Sequence, residues 1–198
     1  MSMKKQKAEI YVESIDLNKY LPKKDCYKCG FSCKEFSKLI LEGLDPEKCP
    51  HLSEREIEYI RVIQKLKDFH IPLISSTIRT RSGLVLSNPS SITLVTSNFP
   101  YTQLILGEVL ASAKLDCNLL IIDTEGYSVD MAVYLNIFKA EKIIELENEL
   151  EKIDRKEIVI PGLAKGILND LKNAGFKTIL GPICCLELPI FLLKTGLV

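Results

Sequence analysis

Residues 91–100, Ser-Ile-Thr-Leu-Val-Thr-Ser-Asn-Phe-Pro, decide the fold because they begin a pattern that the rest of the chain repeats. Strand-like apolar runs occur at residues 92–96, 118–122, 157–160 and 177–180. Helical stretches follow them at 100–114, at 128–140 with 143–153, at 163–173 and at about 187–194. This alternation predicts an α/β fold with a Rossmann-like parallel sheet and helices on both faces.

The turns that follow these four strands are short and rich in hydroxyl groups and glycine. They comprise residues 96–99 (Thr-Ser-Asn-Phe), 123–126 (Asp-Thr-Glu-Gly), 161–162 (Pro-Gly) and 181–183 (Gly-Pro-Ile), and we call them the rim loops. Ligands of parallel sheets bind outside the carboxyl ends of the strands, so we expect a ligand at the rim loops. The alternative is that Asn98 and Asp123 only cap the helices that follow them.

Several common activities are excluded by what the sequence lacks. No Gly-x-Gly-x-x-Gly follows a strand, so a nicotinamide site lacks its pyrophosphate turn, and no phosphate-binding Gly-x-x-x-x-Gly-Lys-Ser/Thr motif is present. The two histidines, His51 and His70, both precede the α/β domain. Hydrolytic triads and histidine-ligated cofactors at the rim loops are therefore not expected.

A second pattern lies nearer the amino terminus, in the segment Cys26-Tyr-Lys-Cys29-Gly-Phe-Ser-Cys33, which fifteen residues separate from Cys49-Pro50. Four cysteines that converge hold either an iron–sulfur cluster or a structural zinc ion. Zinc sites more often use two separated Cys-x-x-Cys pairs, whereas the three-plus-one grouping favours a cubane cluster. A disulfide framework is the weakest of the three interpretations, because an odd number of cysteines without a secretion signal indicates a reducing compartment.

Charge and hydropathy restrict the partners. The 26 basic and 26 acidic residues cancel, so no overall field recruits nucleic acid or a membrane. The charged start leads into no apolar segment, and glycine, proline and glutamate interrupt the apolar run 178–193, which predicts a cytoplasmic protein without a membrane span. A local basic stretch is either a solvated surface, a dock for an acidic redox partner or charge compensation for a cluster; it contains Lys23, Lys24, Lys28, Lys34 and Lys38 against Asp25 and Glu35.

These patterns predict three regions. Residues 1–52 form an iron–sulfur cluster module, and residues 53–72 form a connecting helix that a capping box, Ser53 with Glu56, begins. Residues 73–198 form the Rossmann-like domain, which starts with a hairpin of residues 74–80 and 84–86.

Two separated stretches resemble one known family. Residues 21–36 with Lys48-Cys49-Pro50 resemble the N-terminal [4Fe-4S] module of the corrinoid iron–sulfur protein large subunit, the gamma subunit of carbon monoxide dehydrogenase/acetyl-CoA synthase complexes. The second stretch resembles the corrinoid-binding domain of that subunit; it contains Asn88-Pro-Ser-Ser, Val95-Thr-Ser-Asn-Phe99, Ile122-Asp-Thr-Glu-Gly-Tyr-Ser-Val129, Ile160-Pro-Gly162 and Leu180-Gly-Pro182. Together the stretches cover about three quarters of the chain.

The resemblance implies a metal-binding, methyl- and electron-carrying component of a methyltransferase system in one-carbon metabolism. A corrinoid of the cobalamin type would lie on the rim loops without a protein histidine below cobalt. Cobalt(I) would accept a methyl group and pass it on, and the cluster would re-reduce cobalt(II) by electron transfer. Carried over by position, the cluster ligands are Cys26, Cys29, Cys33 and Cys49, and the corrinoid contacts are Thr96, Ser97, Asn98, Phe99, Thr124, Glu125, Gly126, Gly162 and Gly181.

The chain departs from the family pattern in two ways. Three residues separate Cys29 from Cys33 where the family usually has four, and no TIM barrel lies between the two modules. The barrel helps to enclose the corrinoid, so the partner would be another protein, such as a corrinoid small subunit or a methyltransferase. The alternative function is a [4Fe-4S] electron-transfer or reductive-activation protein that serves a separate corrinoid methyltransferase and binds no corrinoid itself. A zinc-stabilised scaffold is the third hypothesis.

Overall fold

The structure, a computed structural model, describes residues 5–72 and 78–198. Contacts divide the chain into two units, residues 1–73 with 184–198, and residues 74–183. In chain order the strands are β1 Lys5–Lys7, β2 His70–Pro72, β3 Gly83–Val85, β4 Thr93–Ser97, β5 Asn118–Ile122, β6 Glu157–Ile160 and β7 Lys177–Leu180. The α-helices are α1 Cys33–Leu41, α2 Glu54–Leu66, α3 Pro100–Ser112, α4 Val129–Tyr134, α5 Ala140–Ile144, α6 Glu147–Leu150, α7 Leu168–Asn173 and α8 Leu188–Lys194.

The first unit is mostly helical. It contains the α-helices α1, α2 and α8 and several short 3₁₀ helices, and β1 pairs with β2 in an antiparallel ribbon. Ser53 and Glu56 form the predicted capping box at the start of α2, and Tyr59, Ile60 and Ile63 of α2 are buried. Capping satisfies amides at the helix start, and burial of one apolar side then holds the helix in the unit.

The terminal helix α8 belongs to the first unit, although the sequence analysis placed residues 184–198 with the sheet. Ile190 and Leu192 of α8 are fully buried, and Lys194 forms an ion pair with Glu56 of α2. The sequence did not predict this arrangement, because the pattern of an amphipathic helix shows that one side is buried but not which surface it packs against. The predicted connecting helix over residues 53–72 is shorter in the structure, because α2 ends at Leu66 and His70–Pro72 form β2. The remaining domain boundaries are still predictions.

The second unit is an α/β sheet with strand order β3-β5-β4-β6-β7. The four strands β5, β4, β6 and β7 are parallel. Val95 lies in a core with residues of the helices α4 to α7, and its neighbour Leu94, which points to the other face, is also buried. The sheet is therefore covered on both faces at its central strand, as a doubly wound sheet requires.

The edge of the sheet differs from the predicted hairpin. Strand β3 pairs antiparallel with β5, so the sheet is mixed rather than wholly parallel, and residues 78–80 form no strand. The rest of the predicted first hairpin strand lies outside the described residues. Leu84 is half-buried and packs on the core of the sheet, and this contact stabilises β3 beside β5.

The predicted helix over 128–140 ends early. Helix α4 stops at Tyr134, Asn136 adopts a left-handed φ of 56°, and the amides of Ile137 and Phe138 both donate to the carbonyl of Ala132. Phe138 is thereby buried in the core of the sheet. Among the described residues, none of the helices is both long and apolar enough to cross a lipid bilayer.

Candidate functional site

The first three cysteines lie on a sharply turning loop, residues 21–33, which we call the cysteine loop. Asp25, Tyr27 and Gly30 have left-handed φ values of 38°, 54° and 87°, and the amide of Gly30 donates to the carbonyl of Tyr27 at 2.9 Å. Glycine adopts such φ values without strain. The cysteine loop therefore turns at residues on either side of Cys26 and Cys29 before α1 begins at Cys33.

Cys33 is the first residue of α1. Ser32 and Glu35 form a capping box there, and the Cys33 amide donates to Asp25 Oδ1 at 2.7 Å. This hydrogen bond anchors the cysteine loop to the helix.

Cys49 returns to the cysteine loop by way of a 3₁₀ helix at Pro46–Lys48. Arg61 of α2 contacts Asp45 and Glu47 at 3.1 and 2.7 Å, and Gln64 donates to the carbonyls of Ile40 and Leu44. Helix α2 therefore holds both the end of α1 and the segment that leads to the fourth cysteine.

The four predicted ligands differ in exposure, and the other three affect the pKa of Cys49. Cys26 is exposed, Cys29 and Cys33 are half-buried, and Cys49 is buried. Burial is the largest cause of the raised pKa of Cys49, and the charges of Cys29, Cys33 and Cys26 raise it further against a hydrogen bond from the backbone of His51. Four thiols have the donor chemistry that an iron–sulfur cluster requires.

The described residues contain no cluster of three or more His, Cys, Asp or Glu side chains arranged to hold a metal ion.

The three remaining cysteines lie outside the cysteine loop. Burial raises the pKa of Cys117 to about 12 and that of Cys184 to about 11, so both thiols are protonated at neutral pH. Both side chains are buried, and burial favours the neutral form of a thiol.

The rim loops lie at one edge of the sheet, because they follow neighbouring parallel strands. The side chain of Asn98 joins the first two loops. Asn98 Oδ1 accepts hydrogen bonds from the Thr124 amide at 3.1 Å, the Thr124 hydroxyl at 2.9 Å and the Gly126 amide at 3.0 Å, and Asn98 Nδ2 donates to Asp123 Oδ1 at 2.8 Å. Both polar atoms of the Asn98 side chain are therefore hydrogen-bonded to other groups of the protein.

The three predicted glycines are required by contacts within the protein. A Cβ atom on Gly162 would lie 2.7 Å from the carbonyl oxygen of Gly181, and one on Gly181 would lie 2.9 Å from a methyl group of Val159. Gly126, with a φ of 78°, leaves no room for a Cβ atom beside the backbone of Ile78. The glycines allow the loops to pack closely on one another and on residue 78.

Burial separates the nine predicted corrinoid contacts into two groups. Thr96, Ser97, Asn98, Thr124 and Gly126 are buried, whereas Phe99, Gly162 and Gly181 are half-buried and Glu125 is exposed. The hydroxyl of Ser97 is buried without a hydrogen-bond partner. Only the second group presents surface to a ligand, and Ile183, which is 47% exposed, adds an apolar side chain to it.

Two residues that the sequence analysis missed, Thr80 and Gln103, add hydrogen bonds to the first rim loop. The Thr80 amide donates to the Asn98 carbonyl at 2.8 Å, and Gln103 Nε2 donates to the Thr80 hydroxyl and the Ser97 carbonyl at 2.7 and 2.9 Å. Gln103 lies in the first turn of α3, but no local signal identified Thr80. Its role depends on a contact across 18 residues of sequence.

A surface cavity of about 440 Å³ lies at the opposite edge of the sheet. Its lining includes Lys156, Ile158, Phe176 and Lys177, which lie at the amino ends of β6 and β7. This cavity is therefore separate from the rim loops.

Two family models match the chain, one over each of the two regions. A family model described as "CO dehydrogenase/acetyl-CoA synthase delta subunit" matches residues 85–187. A model described as "Putative Fe-S cluster" matches residues 21–51, which contain the cysteine loop and Cys49.

Curated relatives match about half of the chain. The gamma subunit of the acetyl-CoA decarbonylase/synthase complex of Methanopyrus kandleri is 39% identical over 112 residues, which are 54% of this chain and 24% of that subunit. The corrinoid/iron-sulfur protein large subunit of Moorella thermoacetica is 37% identical over 101 residues, 48% of this chain and 22% of that protein. The chain spans less than a quarter of the length of these relatives.

Proposed function

Because the chain belongs to the CO dehydrogenase/acetyl-CoA synthase delta subunit family, we propose that it is a corrinoid-binding [4Fe-4S] protein that acts in methyl transfer in one-carbon metabolism. Its partner in this proposal is another protein, since the relatives are named as subunits of a complex. The observation that carries the proposal is the presence of both a four-thiol region and a loop-lined sheet edge in one short chain.

In this proposal, Cys26, Cys29, Cys33 and Cys49 hold the cluster. Asp25 anchors the cysteine loop through the Cys33 amide, at the amino end of α1. The exposure of Cys26 leaves the centre near the protein surface, where single electrons can enter and leave.

The rim loops hold the corrinoid in this proposal. The half-buried or exposed residues Phe99, Glu125, Gly162 and Gly181 contact it, and Ile183 adds apolar surface. The buried Thr96, Ser97, Asn98, Thr124 and Gly126 keep the loops in place. When bound, a corrinoid supplies cobalt that carries a methyl group, and a cluster supplies single electrons that return oxidised cobalt to its methyl-accepting state.

The second candidate function is electron delivery to a separate corrinoid methyltransferase. It is favoured by the hydrogen bonds within the rim loops, because Asn98, Thr124 and the amides of Gly126 and Gly162 already have partners in the protein. Such a rim needs no cofactor to satisfy those buried polar groups.

Anaerobic purification, an absorbance spectrum and iron and cobalt analysis distinguish these functions. Corrinoid bands with a broad iron–sulfur shoulder support the first function, and the shoulder alone supports the second. A colourless protein that contains zinc contradicts both. We expect Cys29→Ser to abolish the iron–sulfur shoulder and Cys185→Ser to retain it. A full cluster spectrum in Cys29→Ser would show that the ligand assignment is wrong.

Titration with hydroxocobalamin tests the rim loops directly. We expect Ile183→Asp to weaken binding about tenfold or more, because the charge would be desolvated under an apolar macrocycle. The matched control is Leu86→Asp, since Leu86 is 46% exposed against 47% for Ile183 but follows β3 away from the rim loops. Equal affinities of the two variants would exclude the rim loops as the corrinoid site.

A further inference from the structure

We propose that the lysine cluster, Lys23, Lys24, Lys28, Lys34 and Lys38, docks an acidic one-electron carrier protein beside the four cysteines. This inference rests on the proposed cluster and extends it by naming the chemistry of the redox partner. It concerns only residues of the first unit.

Charge is concentrated around the cysteine loop. The five lysines and the two acids Asp25 and Glu35 leave a net charge of +3 on residues 23–38, in a chain whose total charge is zero. Lys34 and Lys38 lie four residues apart in α1, so they project from the same side of that helix. The positive charge is thus a local property of the surface that surrounds the predicted ligands.

These lysines have no internal role in the described structure. All five are exposed, and none forms an ion pair with a described residue. Other cations of the same unit do have partners: Arg61 contacts Asp45 and Glu47, Lys67 donates to the Leu41 carbonyl, and Lys194 contacts Glu56. The charges of the lysine cluster are therefore available to a partner.

The neighbouring acids Asp25 and Glu35 form no ion pairs with the lysine cluster in the described structure. Asp25 Oδ1 accepts from the Cys33 amide at 2.7 Å, and Glu35 Oε2 accepts from the amide and hydroxyl of Ser32 at 3.0 and 2.7 Å. Both carboxylates are used to shape the loop and the start of α1. An acidic partner would meet lysines that have no competing carboxylate bound to them.

Exposed residues of the cysteine loop lie beside the lysine cluster in sequence, which suits the lysine cluster to electron transfer. Cys26 is exposed and Tyr27 is 63% exposed, so a partner that covers the lysine cluster approaches the sulfur ligands closely. One electron leaves the reduced carrier, which is oxidised, and enters the cluster, which is reduced. No atom or proton is transferred, and no further reactant is needed.

An acidic protein fits this surface better than a nucleic acid does. The basic residues of the lysine cluster are all lysines, so it has no arginine to make bidentate contacts with phosphate. The chain as a whole also has no net positive charge. Complexes of electron-carrier proteins have small interfaces and are transient, and attraction between opposite charges raises their association rate.

The test compares two triple variants that remove the same charge. Lys24→Gln/Lys28→Gln/Lys34→Gln changes the lysine cluster, and Lys65→Gln/Lys139→Gln/Lys172→Gln changes exposed lysines elsewhere. The probe is a reduced, acidic plant-type [2Fe-2S] ferredoxin, mixed by stopped flow with the anaerobic protein. Photoreduced 5-deazariboflavin, which is uncharged, checks that the cluster of each variant accepts electrons at the wild-type rate.

At an ionic strength of about 0.01 M we expect the first variant to be reduced by the ferredoxin about tenfold or more slowly, and the second to stay within about twofold of wild type. At about 0.5 M salt the three rates should converge, because screening then acts over a few ångströms. Equal rates of the two variants at low salt would overturn the proposal.

Calorimetric titration with oxidised ferredoxin gives a readout that needs no electron transfer. We expect weaker binding only in the first variant, and tighter binding of single-stranded DNA than of ferredoxin would contradict the choice of partner. If wild-type protein contains no cluster, the proposed function fails, while this titration still decides whether the lysine cluster binds an acidic carrier.

Discussion

The amide of Asn98 shows how one buried side chain determines the shape of the predicted ligand edge. It joins the end of β4 to the loop after β5 through hydrogen bonds to Thr124, Gly126 and Asp123. The hydrogen bond from the Glu125 amide is the largest cause of the lowered pKa of Asp123, and the bond from Asn98 adds to it against the effect of burial. Asn98 therefore positions the first two rim loops relative to each other, and its predicted contact with a corrinoid stays a prediction.

Replacement of Asn98 by leucine should lower the free energy of unfolding by about 3 kcal/mol, because the amides of Thr124 and Gly126 would be buried without partners. Urea denaturation followed by circular dichroism measures this loss. Asn173→Leu, at an exposed position at the end of α7, is the control and should change stability by less than about 0.5 kcal/mol. A similar small change in Asn98→Leu would show that the rim loops are held by other contacts.

At the scale of secondary structure, the start of α2 combines a capping box with an ion pair. Burial is the largest single effect on Glu56 and opposes its ionisation, but hydrogen bonds from Lys194 and Ser53 together outweigh burial and lower the pKa of Glu56. A carboxylate whose pKa is lowered in the folded state stabilises the protein at pH values above its unfolded pKa. This stability is lost as the pH falls through the lowered value.

We therefore expect Glu56→Gln to reduce the free energy of unfolding at pH 7 and to have little effect at about pH 3. Urea denaturation of wild type and variant at several pH values measures the difference, which should shrink as the pH falls below about 4.5. Glu54→Gln, which changes an exposed acid of the same helical turn, is the control. A difference that stays constant between pH 7 and pH 3 would contradict the ion-pair explanation.

At the scale of the whole molecule, the first unit is built from both ends of the chain. Ile190 of α8 is fully buried, so Ile190→Ala should destabilise this unit by about 2–5 kcal/mol. Hydrogen exchange should then accelerate in α2 and remain unchanged in β5. Leu171→Ala, which removes a fully buried side chain from the core of the sheet, should have the opposite pattern. Faster exchange in β5 alone for Ile190→Ala would place α8 with the sheet.

Much of the fold was predictable because it depends on local pattern. The bounds predicted for β5, β6 and β7 agree with the structure, and β4 is displaced by one residue. The predicted break after the helix over 163–173 is confirmed at Gly175, whose φ is 91° and whose amide donates to the Lys172 carbonyl. The candidate site was predictable only in outline, because spacing identifies cysteines and loops but not which rim atoms are already bonded.

The sequence by itself determined the parallel strands, the family and the order of the cysteines, since each of these is written in residues that are near one another in the chain. Only the tertiary structure decided that β3 pairs with β5, that α8 packs with α2, and that Asn98 and Thr80 close the rim. These features depend on side chains that meet across long separations in sequence. Which of these long-range contacts form depends on the apolar surface that they bury and the hydrogen bonds that they satisfy. Neither can be evaluated without the folded structure.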